Sequence, residues 1–383
     1  MSTHTLAPSR TGFSLEPLAG FEVAREEWTE LAAASGNVFL TPEWLGAWWQ
    51  TFGEGHELAL QLVRRGDGSA AAILPLYRDR RPPSALRMIG HTQSDLLGPV
   101  CAPEDAALAT EALRAVIASE DADLFVGNSV EQGEGWDTAL GGTVLDSMTS
   151  PVLELAGRDW EQILAGRSSN FRSQMRRVER RLERDHDVAW RLADEHSAAD
   201  DLELLIELHE RRWGAESGAF KGPWGALHRR FVPLAADRGW LRMLVLELDG
   251  EPVAVNYNLR FGDAESFYQS GRDPEREKLK LGLALQVKSI RLAAAAGLSE
   301  YRFLRGDEVY KSRFADLDRP VQTVVVPMRL RARPLPALLR MAPRLPNALR
   351  RRLLRVVTAM TPATVSVSEF ATEGAGAYAL VLV

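Results

Sequence analysis

One cysteine, Cys101, is all that this sequence of 383 residues contains. An internal disulfide framework is therefore excluded, and a reducing compartment is expected. No histidine motif accompanies Cys101, so it reads as a small buried filler rather than a nucleophile. No apolar run reaches the roughly 20 residues that span a bilayer. Met1 to Gly12 lacks a basic region followed by an apolar core, so no signal peptide is expected and the protein is read as cytoplasmic. There is no HExxH, no paired-cysteine metal spacing, no Walker loop and no GxGxxG fingerprint, and the seven histidines are scattered. These absences count against metal catalysis, ATP hydrolysis and nicotinamide chemistry, and no bound metal is expected. The last scarcity is regional: from Arg319 to Ser368 there is no acidic residue.

What is present is ordinary for a globular chain, with 45% apolar and 26% charged residues. A net charge of −6 gives no reason to expect DNA binding. The length suggests two domains and an appendage. A renewed strand pattern at Pro151–Leu155 places a boundary near residue 150. The expected division is 1–150, 151–330, and a basic tail over 331–383.

In the first part, Thr41 reads as an N-cap with Pro42 at the first helical position. Trp44, Trp48 and Phe52 then line one face, which reads as a core helix with large anchors. Two strand-like runs joined around Gly66-Asp67-Gly68 form a hairpin signal. The strand Leu86–Gly90 leads into a loop with His91, Ser94 and Asp95. Three local loop residues rarely make a hydrolase triad without a nucleophile elbow. Asp95 is read instead as a turn residue or substrate contact.

In the second part, Phe171, Met175, Val178 and Leu182 form an apolar stripe on a helix from about Ser169 to Asp185. Arg172, Arg176, Arg180 and Arg184 repeat every fourth residue beside it. Such like-charge pairs cost roughly 0.2–0.5 kcal/mol each in an isolated helix. Either an anionic substrate group or acids elsewhere in the fold would relieve them, and both readings stay open. His209 shares the inner face of the next helix and reads as a hydrogen-bonded core histidine. Three strands follow, then a helix expected from about Glu277 to Ala296, a strand Tyr301–Leu304, and the charged loop Arg305 to Phe314. Polar groups directly after a strand end are where open α/β sheets place ligands. Antiparallel strands followed by helix and strand suggest a mixed α+β sheet. Both halves carry helix, hairpin, helix and strand, which hints at two copies of one fold.

The ordered set Phe39-Leu40-Thr41-Pro42-Glu43-Trp44-Leu45, Leu74-Pro75-Leu76, Gly90…Ser94-Asp95…Gly98-Pro99, the arginine-rich helix, Gly250–Ala254 and Gly306–Phe314 resembles the CelD/BcsL-type acetyltransferases. That family sits with the GNAT acyltransferases and is related to the FemABX peptidyltransferases. The resemblance spans roughly residues 15–330 and implies tandem GNAT-like domains, each a mixed sheet flanked by helices. It implies acetyl-CoA, or another acyl-CoA, as co-substrate. The acceptor it implies is a small-molecule or glycan-precursor amine, often in cell-envelope or polysaccharide assembly. The rival readings are an aminoacyl-tRNA donor and a non-catalytic scaffold. The positions implied for the cofactor are Gln269, Ser270 and Gly271, then Lys278, Lys280 and Gly282, where a glycine-richer loop is usual. Lys311 is implied to stabilise negative charge, Asp307 or Glu308 to relay the amine proton, and Tyr310 to protonate the leaving thiolate. Arg172, Arg176 and Asp95 are the residues expected to meet the acceptor.

The tail sets nine arginines, from Arg329 to Arg355, among Leu, Pro and Val. Leu349, Leu353, Val356 and Met360 follow Asn347 at helical spacing. A basic amphipathic stretch over 334–360 reads either as a peripheral contact with the inner face of a membrane or as a segment packed on the acidic body.

Overall fold

The computed structural model describes residues 12–133, 136–214 and 218–341, and the chain divides into two compact units. One is built from Met1–Met148 and Pro320–Val383, the other from Thr149–Arg319.

The first unit runs β1 (Phe13–Pro17), α1 (Arg25–Ser35), α2 (Pro42–Phe52), β2 (Glu57–Leu58), β3 (Gln61–Arg65), β4 (Ala70–Leu74), β5 (Leu76–Asp79) and β6 (Ala85–Met88). It continues with β7 (Val100–Cys101), α3 (Ala106–Ser119), β8 (Leu124–Glu131), α4 (Trp136–Leu140) and β9 (Thr143–Met148). The Thr41 hydroxyl accepts from the Trp44 amide (3.2 Å) and starts α2, whose Trp44 and Trp48 are fully buried. The indole N–H groups of Trp44 and Trp48 donate to Ser94 Oγ (2.7 Å) and Gln93 Oε1 (2.9 Å), which pins the loop after β6 to α2. Ser94 is thus a buried acceptor of an indole proton and no nucleophile.

The second unit runs β10 (Pro151–Glu154), α5 (Trp160–Ala165), α6 (Ser169–Asp185), β11 (Val188–Leu192), α7 (Ala198–Trp213) and α8 (Pro223–Asp237). Then come β12 (Leu241–Leu248), β13 (Glu251–Phe261), β14 (Ala264–Arg272), α9 (Leu281–Ala295), β15 (Glu300–Arg302), α10 (Val309–Phe314) and β16 (Leu317–Asp318). Its seven strands form one sheet in the order β11-β12-β13-β14-β15-β10-β16. The stripe Phe171, Met175, Val178 and Leu182 is buried as expected, against Leu281, Ala284, Leu285, Val287 and Ile290 of α9. Each such side chain taken from water contributes about 1.5–3 kcal/mol, which fixes α6 and α9 on one face of the sheet.

The chain then returns to the first unit through β17 (Val321–Pro327) and α11 (Leu335–Met341). β17 lies between β8 and β9 in a six-stranded sheet ordered β2-β5-β6-β8-β17-β9; β1, β3, β4 and β7 form a second sheet. This differs from an expected second domain running to residue 330 and a separate tail from 331. Val325 and Ala332 pack with Ala85, Leu124 and Val126, so the start of the arginine-rich segment completes the first unit's core. Long-range strand pairing of this kind leaves no local periodicity to read. The amphipathic stretch after Asn347 lies outside the described residues. Among those described, no helix is long and apolar enough to cross a membrane.

One motif occurs in both units. β6 and β8 pair in parallel over three positions, Ala85↔Leu124 to Arg87↔Val126, with α3 between them in sequence. β14 and β15 pair in parallel over three positions, Ala264↔Glu300 to Ser266↔Arg302, with α9 between them. The duplication hinted at by the order of elements is therefore real at the level of topology.

Candidate functional site

In the second unit the two parallel strands part after Ser266↔Arg302. The starting point is pinned by Tyr301, whose hydroxyl accepts from Asn258 Nδ2 (3.0 Å) and Gln286 Nε2 (2.8 Å). Beyond it the chain stays with β10 instead of β14: the Phe303 amide donates to Pro151 O (2.9 Å) and the Gly306 amide to Thr149 O (3.1 Å). β14 meanwhile continues along β13 to Arg272. A wedge opens between them.

On the β14 side of the wedge the ladder is irregular. Tyr257 pairs with Gln269 but Asn258 pairs with Phe267, so Tyr268 is an extra, bulged residue. A bulge breaks the ladder and re-aims backbone groups, which is why bulges gather beside functional sites. Directly after β14, Pro274–Leu279 form a 3-10 turn, Lys280 takes a left-handed conformation (φ 55°, ψ 44°), and α9 starts at Leu281. This corrects the expected helix start at Glu277. The correction matters because it moves the positive end of the helix to Gly282. No side chain caps that end, and the Leu283 amide already donates to Lys280 O (2.9 Å), so the Leu281 and Gly282 amides and the helix dipole are available to an anion. The Arg272 guanidinium lies beside it, close enough that a Cβ on Gly282 would come within 2.6 Å of Nη1. The Arg272 guanidinium makes no hydrogen bond or ion pair among the described residues.

Across the wedge stands Tyr310, in the first turn of α10, its ring edge-on to Phe267 at 6.4 Å between centroids. Tyr310 is 37% exposed; partial desolvation of its hydroxyl against the surrounding chain, and then the Glu308 carboxylate, push its phenol above the ordinary tyrosine value, so it stays protonated and able to donate. The expected loop around it is a short helix.

Lys311 is not at the wedge surface. It is 4% exposed, its Nζ donates to Arg305 O, and it pairs with Glu308 Oε2 at 2.9 Å. Gly306, at φ 126°, leaves room for this clamp: a Cβ there would lie 2.1 Å from Glu308 Oε2 and 2.8 Å from Lys311 Nζ. The geometry makes Lys311 a loop fastener, because its charge is already spent on two acceptors. Asp307 is exposed.

Gly271 is buried against α7: a Cβ there would meet Leu205 O at 2.7 Å and the His209 amide nitrogen at 3.1 Å. His209 Nδ1 donates to Ser270 O (3.2 Å), the hydrogen-bonded core histidine expected. Gln269 turns back to accept from the Ser270 amide (3.0 Å). Lys278 and Lys280 are exposed on the turn before α9, with Lys278 O accepting from Arg181 (3.3 Å). Arg172 donates to Ala165 O (3.1 Å) and Arg167 O (2.7 Å), closing the end of α5, while Arg176 is exposed with Glu161 at 3.9 Å. Asp95 belongs to the first unit. The structure therefore sets Gln269, Ser270, Gly282 and Tyr310 on the elements that border the wedge, while Arg172 and Arg176 bond near α5 and Asp95 belongs to the other unit. Arg272 and the Tyr268 bulge went unread. The available signal was an arginine at a strand end ten residues before a glycine in a helical first turn.

Residues 169–312 match the family model described as the acetyltransferase (GNAT) domain. No curated protein sequence matches the chain. Among solved structures, FemX is similar at a TM-score of 0.60 and 12% identity, covering 85% of this chain and 100% of its own. The C-terminal domain of a putative lysylphosphatidylglycerol synthetase from Agrobacterium fabrum is similar at 0.52 and 10%, covering 83% and 95%. L-PGS from Bacillus licheniformis follows at 0.50 and 13%, covering 82% and 97%. At these identities the likeness is one of fold. The chain is a mixed α/β protein of tandem GNAT-like architecture, and the wedge between β14 and β15 lies within the segment that matches the GNAT acetyltransferase model.

Proposed function

We propose that the second unit transfers an acyl group, acetyl in the simplest case, from acyl-CoA to an amine. The acceptor class that fits the CelD/BcsL-type resemblance is a sugar, polysaccharide precursor or other cell-envelope metabolite. One observation carries the reading: two parallel strands part at a bulge, directly before an uncapped helix end with an unpartnered arginine beside it. That donor set suits a pyrophosphate. Its charge meets the amides of Leu281 and Gly282 and the guanidinium of Arg272, a planar fork matched to phosphate oxygens. When bound, acyl-CoA supplies the activated thioester.

The chain's own residues then account for three tasks. Backbone donors at the Tyr268 bulge polarise the carbonyl and stabilise the oxyanion as the amine nitrogen attacks the carbonyl carbon. The carbon–sulfur bond breaks, the Tyr310 hydroxyl delivers its proton to the departing thiolate, and the proton that the amine nitrogen loses on becoming an amide returns through water to the Tyr310 oxygen. The Lys311–Glu308 clamp holds α10 so that Tyr310 faces Phe267. Calorimetric titration with acetyl-CoA tests the reading. Saturable binding that stabilises the fold supports it. No binding and no stabilisation sinks it, and leaves an aminoacyl-tRNA donor or a non-catalytic scaffold.

A further inference from the structure

The first unit holds a charge that none of its described residues balances. Arg87 sits in β6, within a run from Ala85 to Ile89 that is otherwise apolar, and is 7% exposed. Its Nη1 has no hydrogen-bond partner, and no carboxylate pairs with it among the described residues. Strand register fixes what stands beside it. Tyr77 of β5 is its antiparallel partner and Val126 of β8 its parallel one, with Asn128 two residues further along β8. Asn128 is also buried, and its Oδ1 has no partner.

The surrounding groups are polar and aromatic. The Tyr77 hydroxyl and His91 Nδ1 share a hydrogen bond of 3.1 Å, with their rings stacked. The rings of His56 and Trp48 lie 5.0 and 5.6 Å from that of Tyr77. Arg81 donates to His56 Nε2 (3.4 Å), which leaves the proton of a neutral ring on Nδ1, where it makes no hydrogen bond and faces Asp79 Oδ1 at 3.9 Å. Asp79 is the acid that faces this group, and both its oxygens already accept from Arg81, at 2.8 and 2.9 Å. Burial holds His56 and His91 below the ordinary imidazole range, and the charge of Arg87 pushes each further in that direction. Arg81 and Asp79 cancel, the imidazoles are neutral, and Arg87 remains as a largely buried cation that no described carboxylate pairs with.

Such a charge is costly unless an anion meets it. A guanidinium presents a fork of donors that fits carboxylate or phosphate oxygens. We propose that the Arg87 face of the first unit is a binding site for the carboxylate or phosphate group of a small molecule. Arg87 is its anchor, His56 Nδ1–H and the Tyr77–His91 pair are further donors, and the rings of Trp48 and Tyr77 flank it. This site lies in the other unit from the acyl-transfer wedge, and stands or falls independently of it.

The test is calorimetric titration of the full chain with inorganic phosphate and, separately, with benzoate. Saturable binding of either supports the proposal, and which one binds identifies the class of oxyanion. Arg87→Met should weaken that binding at least tenfold, while its melting temperature without ligand stays level or rises, because an unpaired buried charge has gone. Arg272→Ala should leave the same binding intact, which separates this site from the wedge. If Arg87→Met does not fold, Tyr77→Phe should still weaken binding severalfold. A wild-type protein that binds neither probe, or binding that persists unchanged in Arg87→Met, overturns the proposal.

Discussion

The Arg272 guanidinium rests against the Gly282 backbone, where any Cβ would come within 2.6 Å of Nη1. A strand end and a helix start are thereby joined through a cation and two free amides. Phosphate binding at helix starts draws on this combination of dipole, N–H groups and a nearby positive side chain.

Two substitutions probe that junction. Arg272→Gln removes the charge and should weaken acetyl-CoA binding by about 1.5–3 kcal/mol, the range for a hydrogen bond to a charged group. Gly282→Ala displaces only the flexible end of Arg272, and alanine favours the helix by up to about 1 kcal/mol. It should lower acetyl-CoA affinity while the melting temperature holds or rises. A melting temperature that falls in step with affinity would show that the junction is structural instead.

Tyr310→Phe keeps the ring against Phe267 and removes the proton. Turnover should drop by about 10²-fold or more, as for loss of a positioned general acid, with acetyl-CoA affinity unchanged. Since its surroundings raise the phenol above the ordinary value of 10.0, the alkaline fall in wild-type rate should come above that pH. A stopped thiol-release assay across pH reads both effects, and an unchanged rate for Tyr310→Phe removes it from the chemistry.

Lys311→Met tests the clamp. The loss of the Glu308 ion pair and the Arg305 carbonyl bond should cost roughly 1.5–3 kcal/mol of stability in urea unfolding. Turnover per folded molecule should change little. A collapse of turnover with stability intact would return Lys311 to the chemistry.

Acid should destabilise the second unit through His228. This side chain, 2% exposed among Phe220, Tyr257 and Tyr268, has its pKa lowered by burial from 6.5 to about 3. The folded state takes up the proton less readily than the unfolded chain. The contribution is therefore whole above the unfolded value and is lost as pH falls from 6.5 toward 3, at about 1.4 kcal/mol per pH unit. Burial also lowers His209, in the same direction. Urea midpoints between about pH 7.5 and pH 4.5 should decline, and His228→Phe should flatten that slope.

Much of the architecture was legible without coordinates. The stripe Phe171, Met175, Val178 and Leu182, the Thr41 cap with its tryptophans, and His209 as a core group follow from periodicity and capping, which act over neighbouring turns. The repeat of helix, hairpin, helix and strand likewise announced two copies of one topology. The site was legible only as a region. The sequence places Lys311 in a charged segment after a strand end, whereas its burial and its pairing with Glu308 and Arg305 O come from the folded loop.

What the amino-acid order determined by itself is therefore the set of elements and their apolar faces, since these depend on contacts a few residues apart. Tertiary structure alone decided the rest: the Tyr268 bulge, the parting of β14 from β15, the return of β17 to the first unit, and the pairing state of each buried cation. Among the described residues, Lys311 found an acid and Arg87 found none. Such outcomes rest on partners contributed by other strands and on desolvation, and neither has a period to read along the chain.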